Sequence, residues 1–461
     1  MRLDPQFALA YWYLGPAYQT AGDIRKSEDL WPKLEQLQSR LPRKDLLWYQ
    51  AEKAFRAGDI ASGKQALESL LKEFPREDNA RARLATRLNA EEQTDRALAV
   101  LKEGLDLDPK NETLLNTTCY AYASAGNLPA ALQANDQYLA VRPNDPNPWD
   151  TRGDVLFELR QDDEAVTAYR KVLELKPDFI DYLEYLKLAV VYADQKKFAL
   201  ADSAMREYGK RAAGAGMAYL PVFEGQFKEL RGDLEGARAS YRQGVKELAR
   251  AGQNQSASDA LASLATLSML TGQGLAADLA FARQQKLHGE EFGVIAFLQA
   301  VMGDTAAANQ SIQEFAAAHP ELGEIGIEQQ RNLNRMFAAL ARNDAQGVLA
   351  AAASLPNLTF PWLRFARGRA YLVLKDYARA EQDLRRALIS GRNVSNFNQV
   401  RRRSPLLDSL AHFYLAQVFE ATGKRDQAVN EYQEFLSPFE NSRAQLPQIA
   451  QARAALQRLV K

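Results

Sequence analysis

At 461 residues the chain exceeds what one hydrophobic core serves, so it is either several domains or a repeat array. Its 58 basic residues equal its 58 acidic ones, which removes any overall field drawing it to nucleic acid or an anionic membrane. No apolar run approaches the roughly 18 residues of a bilayer span, Met1-Arg2-Leu3-Asp4-Pro5 carries no signal-peptide segment, and Cys119, the single cysteine, excludes an internal disulfide or a thiolate metal cluster.

Pro16 falls inside the first expected helix, where it removes the amide that would bond the Trp12 carbonyl and predicts a kink. From there a ruler of prolines, Pro75, Pro109, Pro143 and Pro177, repeats every 34 residues. Apolar-charged tails such as Leu105-Asp106-Leu107-Asp108 precede three of them, so each proline closes a helix. Mid-period turns at Ala57-Gly58-Asp59, Ala125-Gly126-Asn127, Arg231-Gly232-Asp233 and Thr422-Gly423-Lys424 split each unit into two short helices, because glycine takes the left-handed conformation that ends the first one. Small residues recur where the two helices must touch: Gly15, Ala51, Ala85, Cys119 and Gly153 in first helices, Ser27, Gly63, Ala97, Ala131 and Ala165 in second ones.

This pattern resembles the tetratricopeptide repeat, with Tyr11, Leu14-Gly15 and Tyr18 matching in the first unit and Trp149, Gly153, Ala165, Tyr169 and Pro177 in the fifth. The resemblance implies an all-α, right-handed α-solenoid of about twelve helical hairpins with a C-terminal capping helix. We expect a regular array of five repeats over 1–179, divergent hairpins over 180–442, and a capping helix within 443–461, amphipathic from Ala450 to Lys461. The divergent hairpins are placed at about 182–215, 218–251, 258–291, 289–322, 329–358, 361–394 and 409–442.

Catalytic motifs are weak in this sequence. Gly58-Asp59-Ile60-Ala61-Ser62-Gly63-Lys64-Gln65 nearly matches a phosphate-binding loop, but Gln65 stands where a Ser or Thr holds magnesium, and no strand precedes it. His288, His319 and His412 lie in separate units without metal-ligand spacing, and Cys119 reads as packing. The run Arg401-Arg402-Arg403, with Phe397 as its only neighbouring aromatic, reads as a solvated loop more readily than as a phosphate clasp. No catalytic residue, metal site or cofactor is expected.

The resemblance further implies recognition of a peptide or protein segment in a concave groove built from first helices. Residues following the core positions of those helices give the groove candidates: Trp12, Trp48, Glu52, Asn116, Tyr120, Asp150 and Asp154. Asp150 and Asp154, four apart on one face, are suited to a basic ligand side chain. Phe337, Phe365 and Phe413 occupy comparable later positions. The function expected is therefore a protein-interaction scaffold, neither enzyme nor nucleic-acid binder. An alternative is the sensory or docking segment of a larger signalling protein, since similar arrays are attached to bacterial serine/threonine kinases or winged-helix regulators and Leu3-Asp4-Pro5 reads as the tail of a preceding repeat. The sequence leaves oligomeric state and compartment open, favouring the cytoplasm, with the periplasm for a membrane-anchored longer protein.

Overall fold

The structure, a computed structural model, describes residues 4–20, 24–212, 215–355, 360–395, 403–440 and 442–460, and every regular element among them is a helix. Met1 to Leu3, Phe397, Arg401, Arg402 and Lys461 lie outside the described residues.

Pairs of helices follow one another: Arg43–Arg56 with Ile60–Glu73, Asp78–Ala90 with Thr94–Leu107, Glu112–Ser124 with Leu128–Val141, and Pro146–Glu158 with Asp162–Leu175. Each ruler proline comes directly after the residue that caps a second helix, Phe74, Asp108, Arg142 or Lys176, whose dihedrals have left the helical region as a following proline requires. Beyond the ruler the pairs continue as Leu183–Asp194 with Phe198–Arg211, Leu220–Leu230 with Leu234–Arg250, Asn254–Thr271 with Leu275–Arg283, and Glu291–Val301 with Thr305–Ala318. Gly323–Ala341 with Ala345–Ala352, Pro361–Val373 with Tyr377–Gly391, and Pro405–Ala421 with Arg425–Leu436 complete the α-solenoid. Several hairpins start earlier than expected, the pairs at 254–283, 323–352 and 405–436 by about four to six residues, and two further details differ. The closing helix begins at Pro447, three residues early, because a proline in the first turn loses no intrahelical bond. In the first unit, whose leading helix Ala8–Thr20 contains Pro16, the second helix is broken into Ile24–Glu28 and Trp31–Leu37, with Pro32 restarting it.

The small positions do what close helices need. Ala51, Ala85, Cys119, Ala97, Ala131 and Ala165 have no exposed surface, and a Cβ on Gly153 would lie 2.4 Å from the Tyr169 ring. Most turns between paired helices share one geometry, a left-handed residue and then the N-cap of the second helix; the turn with Gly272 and Gly274, both left-handed, departs from it. Gly58 has φ +76°, and the Asp59 carboxylate accepts from the Ser62 amide at 3.0 Å. Asn127, Asp233, Asp304, Asp344 and Asp376 cap the same way.

The superhelix closes on itself. Turns and helix ends of the earlier hairpins meet helices and connections of the later ones, in the same chain order on both sides of the seam. Gln329 donates to the Gly58 carbonyl at 2.9 Å, and Arg364 and Arg386 pair with Glu92 at 3.3 and 2.9 Å. Further along, Arg392 donates to the Phe157 carbonyl at 2.7 Å and to Asp194 at 2.8 Å while also meeting Asp162, and its guanidinium lies 3.9 Å from the centre of the Phe157 ring. The Leu406 amide reaches Glu229 at 3.0 Å, and Gln273 reaches the Gln445 carbonyl at 3.0 Å. One buried apolar cluster consequently runs from Leu156 to Ala455 and includes side chains from both edges.

Candidate functional site

Three of the seven expected groove residues come together at the N-terminal end. Trp12, Trp48 and Glu52 line a cleft of about 410 Å³ with Trp31, Asn79 and Arg83. Its floor is aromatic: Trp12 meets Trp31 edge-on at 6.4 Å and Tyr49 at 6.2 Å, while Trp31 stacks on Tyr49 at 5.7 Å. One wall is charged, with Arg83 and Glu52 paired at 3.1 Å and half exposed. The Trp48 indole nitrogen faces Glu77 at 3.5 Å. An apolar floor with a polar rim and partly exposed indoles has the composition that anchors a partner side chain.

Of the other four residues, Asn116 and Tyr120 are half-buried and Asp150 and Asp154 are covered. Asp150 and Asp154 are 2% and 1% exposed, because Lys187 from the next first helix lies over them. Lys187 pairs with Asp150 and, at 2.9 Å, with Asp154; Tyr120 and Tyr169 donate to Asp154 at 2.7 and 2.8 Å. The pair therefore meets a basic side chain of its own chain, and the expectation that it awaits one from a ligand is corrected. Asn116 accepts from the Thr151 hydroxyl at 2.9 Å, again across a repeat boundary. Burial, then the charge of Asp154, pushes the Asp150 carboxyl up to about 7, and burial with the charge of Asp150 pushes Glu184 up to about 8. Glu158, buried near Asp154, is likewise pushed up to about 8. Tyr120 and Tyr169 are raised by the same burial and the same carboxylate. Lys187 is the residue that sequence reasoning missed. The available signal was an opposite charge one repeat later, 33 residues beyond Asp154.

Elsewhere the structure sorts the remaining motifs. Gly58 sits in a hairpin turn, and a Cβ on Gly63 would strike the Phe55 ring at 2.2 Å, so the near-match to a phosphate loop is hairpin packing. Cys119 is buried with its thiol toward the Leu115 carbonyl at 3.1 Å, and burial pushes its pKa up to about 12, opposite to what a nucleophile needs. Arg403 is buried in the seam, bonding the Gly391 carbonyl at 3.0 Å and Asp194 at 3.4 Å, so it is not the solvated loop residue expected. His412 also lies at the seam, 2.5 Å from Glu431 and 3.2 Å from Arg160. Phe365 and Phe413 are each 1% exposed and belong to the core, whereas Phe337 lines a cavity. Among the described residues no cluster suits a metal ion, and no helix is long and apolar enough to cross a membrane.

Comparison with known proteins agrees with the repeat geometry. Residues 88–155, 147–179 and 410–442 match the tetratricopeptide repeat, so the chain carries repeats of that family in these segments. The last match lies in the divergent half, at the pair Pro405–Ala421 and Arg425–Leu436. No curated protein matches the chain. Similar solved structures include yeast Tom70, 12% identical over 83% of this chain and 96% of that one, with a TM-score of 0.32. The Cut9–Hcn1 hetero-tetramer of the APC/C is 13% identical over 91% of this chain and 97% of that chain, at 0.30. A tetratricopeptide repeat protein from Parabacteroides merdae is 14% identical over 63% and 98%, at 0.29. None superposes closely enough for its geometry or role to be transferred.

Proposed function

We propose that this protein is a non-catalytic interaction scaffold that docks an extended segment of a protein partner, and that the N-terminal cleft is where the segment is anchored. The observation that carries the reading is the cleft itself: Trp12, Trp31 and Trp48 around a cavity of about 410 Å³, with the Glu52–Arg83 pair at its wall. Trp12 and Trp31 pack on Leu34 and Tyr49 through one side of their rings and keep part of their indole surface open to the cleft. The charged pair supplies both a donor fork and a carboxylate for the polar ends of a peptide.

The test is selection of binding peptides from a random displayed library, followed by titration against the wild-type chain and Trp48→Ala. Removing one central aromatic anchor typically costs about 2 kcal/mol or more, so binding should weaken by at least about tenfold. Peptides that bind both proteins equally, with helicity unchanged, would remove the cleft from the account.

A further inference from the structure

A second cavity, of about 440 Å³, lies on the inner side of the later hairpins. It is lined by successive turns of three first helices: Asp259 from Asn254–Thr271, Phe297 from Glu291–Val301, and Asn334 and Phe337 from Gly323–Ala341. One wall is aromatic, since Phe297 meets Phe337 edge-on at 4.9 Å and Phe337 lies 4.8 Å from Trp362. The other is acidic, with Asp259 and with Glu290, whose carboxylate lies 3.8 Å from the His319 ring nitrogen behind it. Arg403, the one lysine or arginine lining the cavity among the described residues, is already engaged by the Gly391 carbonyl and Asp194. Asn334 is 5% exposed, and its side-chain amide nitrogen has no hydrogen-bond partner. A buried donor without an acceptor costs about 1–3 kcal/mol, so its persistence at a cavity wall points to a ligand carbonyl.

A third cavity, of about 320 Å³, adjoins the acidic one, sharing Gln330 and Trp362 with it, and its opposite wall is Phe55 and Arg56, on the helix that carries Trp48 and Glu52.

We propose that the acidic-aromatic cavity is a specificity pocket for one lysine or arginine side chain of the docked segment. Its cationic end is held by Asp259 and Glu290, its aliphatic stem runs along Phe297, Phe337 and Trp362, and the adjoining main-chain carbonyl accepts from Asn334. Carboxylates fix the charge, ring faces attract a cation, and apolar walls cover the stem. The inference rests on the peptide-docking reading and adds the identity of one anchor.

The experiment uses the full chain and acetylated peptides of one length that share the sequence selected for the tryptophan cleft and differ at a single scanned position, occupied by Lys, Arg, Gln, Leu or Glu. At one position Lys and Arg should bind at least about tenfold tighter than Gln or Leu, with Glu weakest. Asp259→Asn combined with Glu290→Gln should abolish that preference while leaving the Leu peptide's affinity and the helical circular dichroism unchanged. Peptides that bind with no basic preference at any position, or with a preference that survives the double substitution, overturn the pocket and leave peptide docking standing. If no peptide binds, both readings fail. If n-butylamine alone binds as tightly as the peptides, the cavity takes a small amine and the peptide source is overturned.

Discussion

At the scale of single residues, Lys187 decides how the centre of the chain is held. Its ammonium is fully buried beside Asp150 and Asp154, with Glu184 also buried next to them. Breaking a buried ion pair from one side leaves uncompensated charge, at a cost of about 3–5 kcal/mol. Lys187→Met should lower the unfolding free energy by that order in denaturant titration, whereas Lys102→Met, at an exposed pair with Asp106, should change it by less than about 1 kcal/mol. The pH dependence has a definite sign. Away from the Lys187 cluster's ion pair, burial raises Glu229 and Asp408 to about 7 and Glu158 to about 8, well above the unfolded value near ~4. The fold favours their neutral forms, so their contribution is complete below the unfolded pKa and is lost as pH rises through 7 to 8. Thermal melting should therefore fall between about pH 5 and about pH 8 and level off above that. Sequence reading found Asp150 and Asp154 but not their burial, because helical periodicity says which face a residue shares and not whether the next repeat covers it.

Single elements were more legible. The proline ruler and the glycine turns define the earlier hairpins, since a left-handed residue must end each first helix and glycine takes that conformation without penalty. The same turn is made without glycine by Glu92, Arg160, Lys196, Asn343 and Lys375, all near φ +60°. Those hairpins carried no glycine signal, although the chain there follows the same path. Two substitutions separate the physical roles of glycine. At Gly423, φ is +73° and a Cβ would meet nothing within 4 Å, so Gly423→Ala should cost about 1 kcal/mol through backbone strain alone. At Gly153 the helical dihedrals suit alanine but the Tyr169 ring does not give way, so Gly153→Ala should cost about 1–3 kcal/mol through overpacking. Calorimetric melting of both variants checks the two values, and equal neutrality would refute both assignments.

Across the whole molecule, the seam is what the sequence concealed. Arg364, Arg386, Arg392 and Arg403 lie in the later hairpins, and their partners Glu92, Asp162 and Asp194 lie well over a hundred residues earlier. No local pattern links such positions, and a balanced composition hides them further. Arg392 is 7% exposed and serves Phe157, Asp162 and Asp194 together, so Arg392→Gln should cost about 3–5 kcal/mol and loosen the closure. Small-angle scattering of that variant should show a larger radius of gyration than the wild type. An unchanged radius with unchanged melting would mean that the seam holds without its arginines.

The cleft at the N-terminal end is half legible by the same logic. Trp12, Trp48 and Glu52 were found from their position on first helices, while Asn79 and Arg83, which complete the wall, follow only from how the third unit packs. The central claim is that a protein segment docks there. Hydrogen–deuterium exchange of the full chain, with and without a library-selected peptide, tests it most directly. The account predicts added protection in Ala8–Thr20, Arg43–Arg56 and Asp78–Ala90, the helices that carry the cleft. Protection that leaves these three helices unchanged and falls on second helices such as Thr94–Leu107 would contradict it.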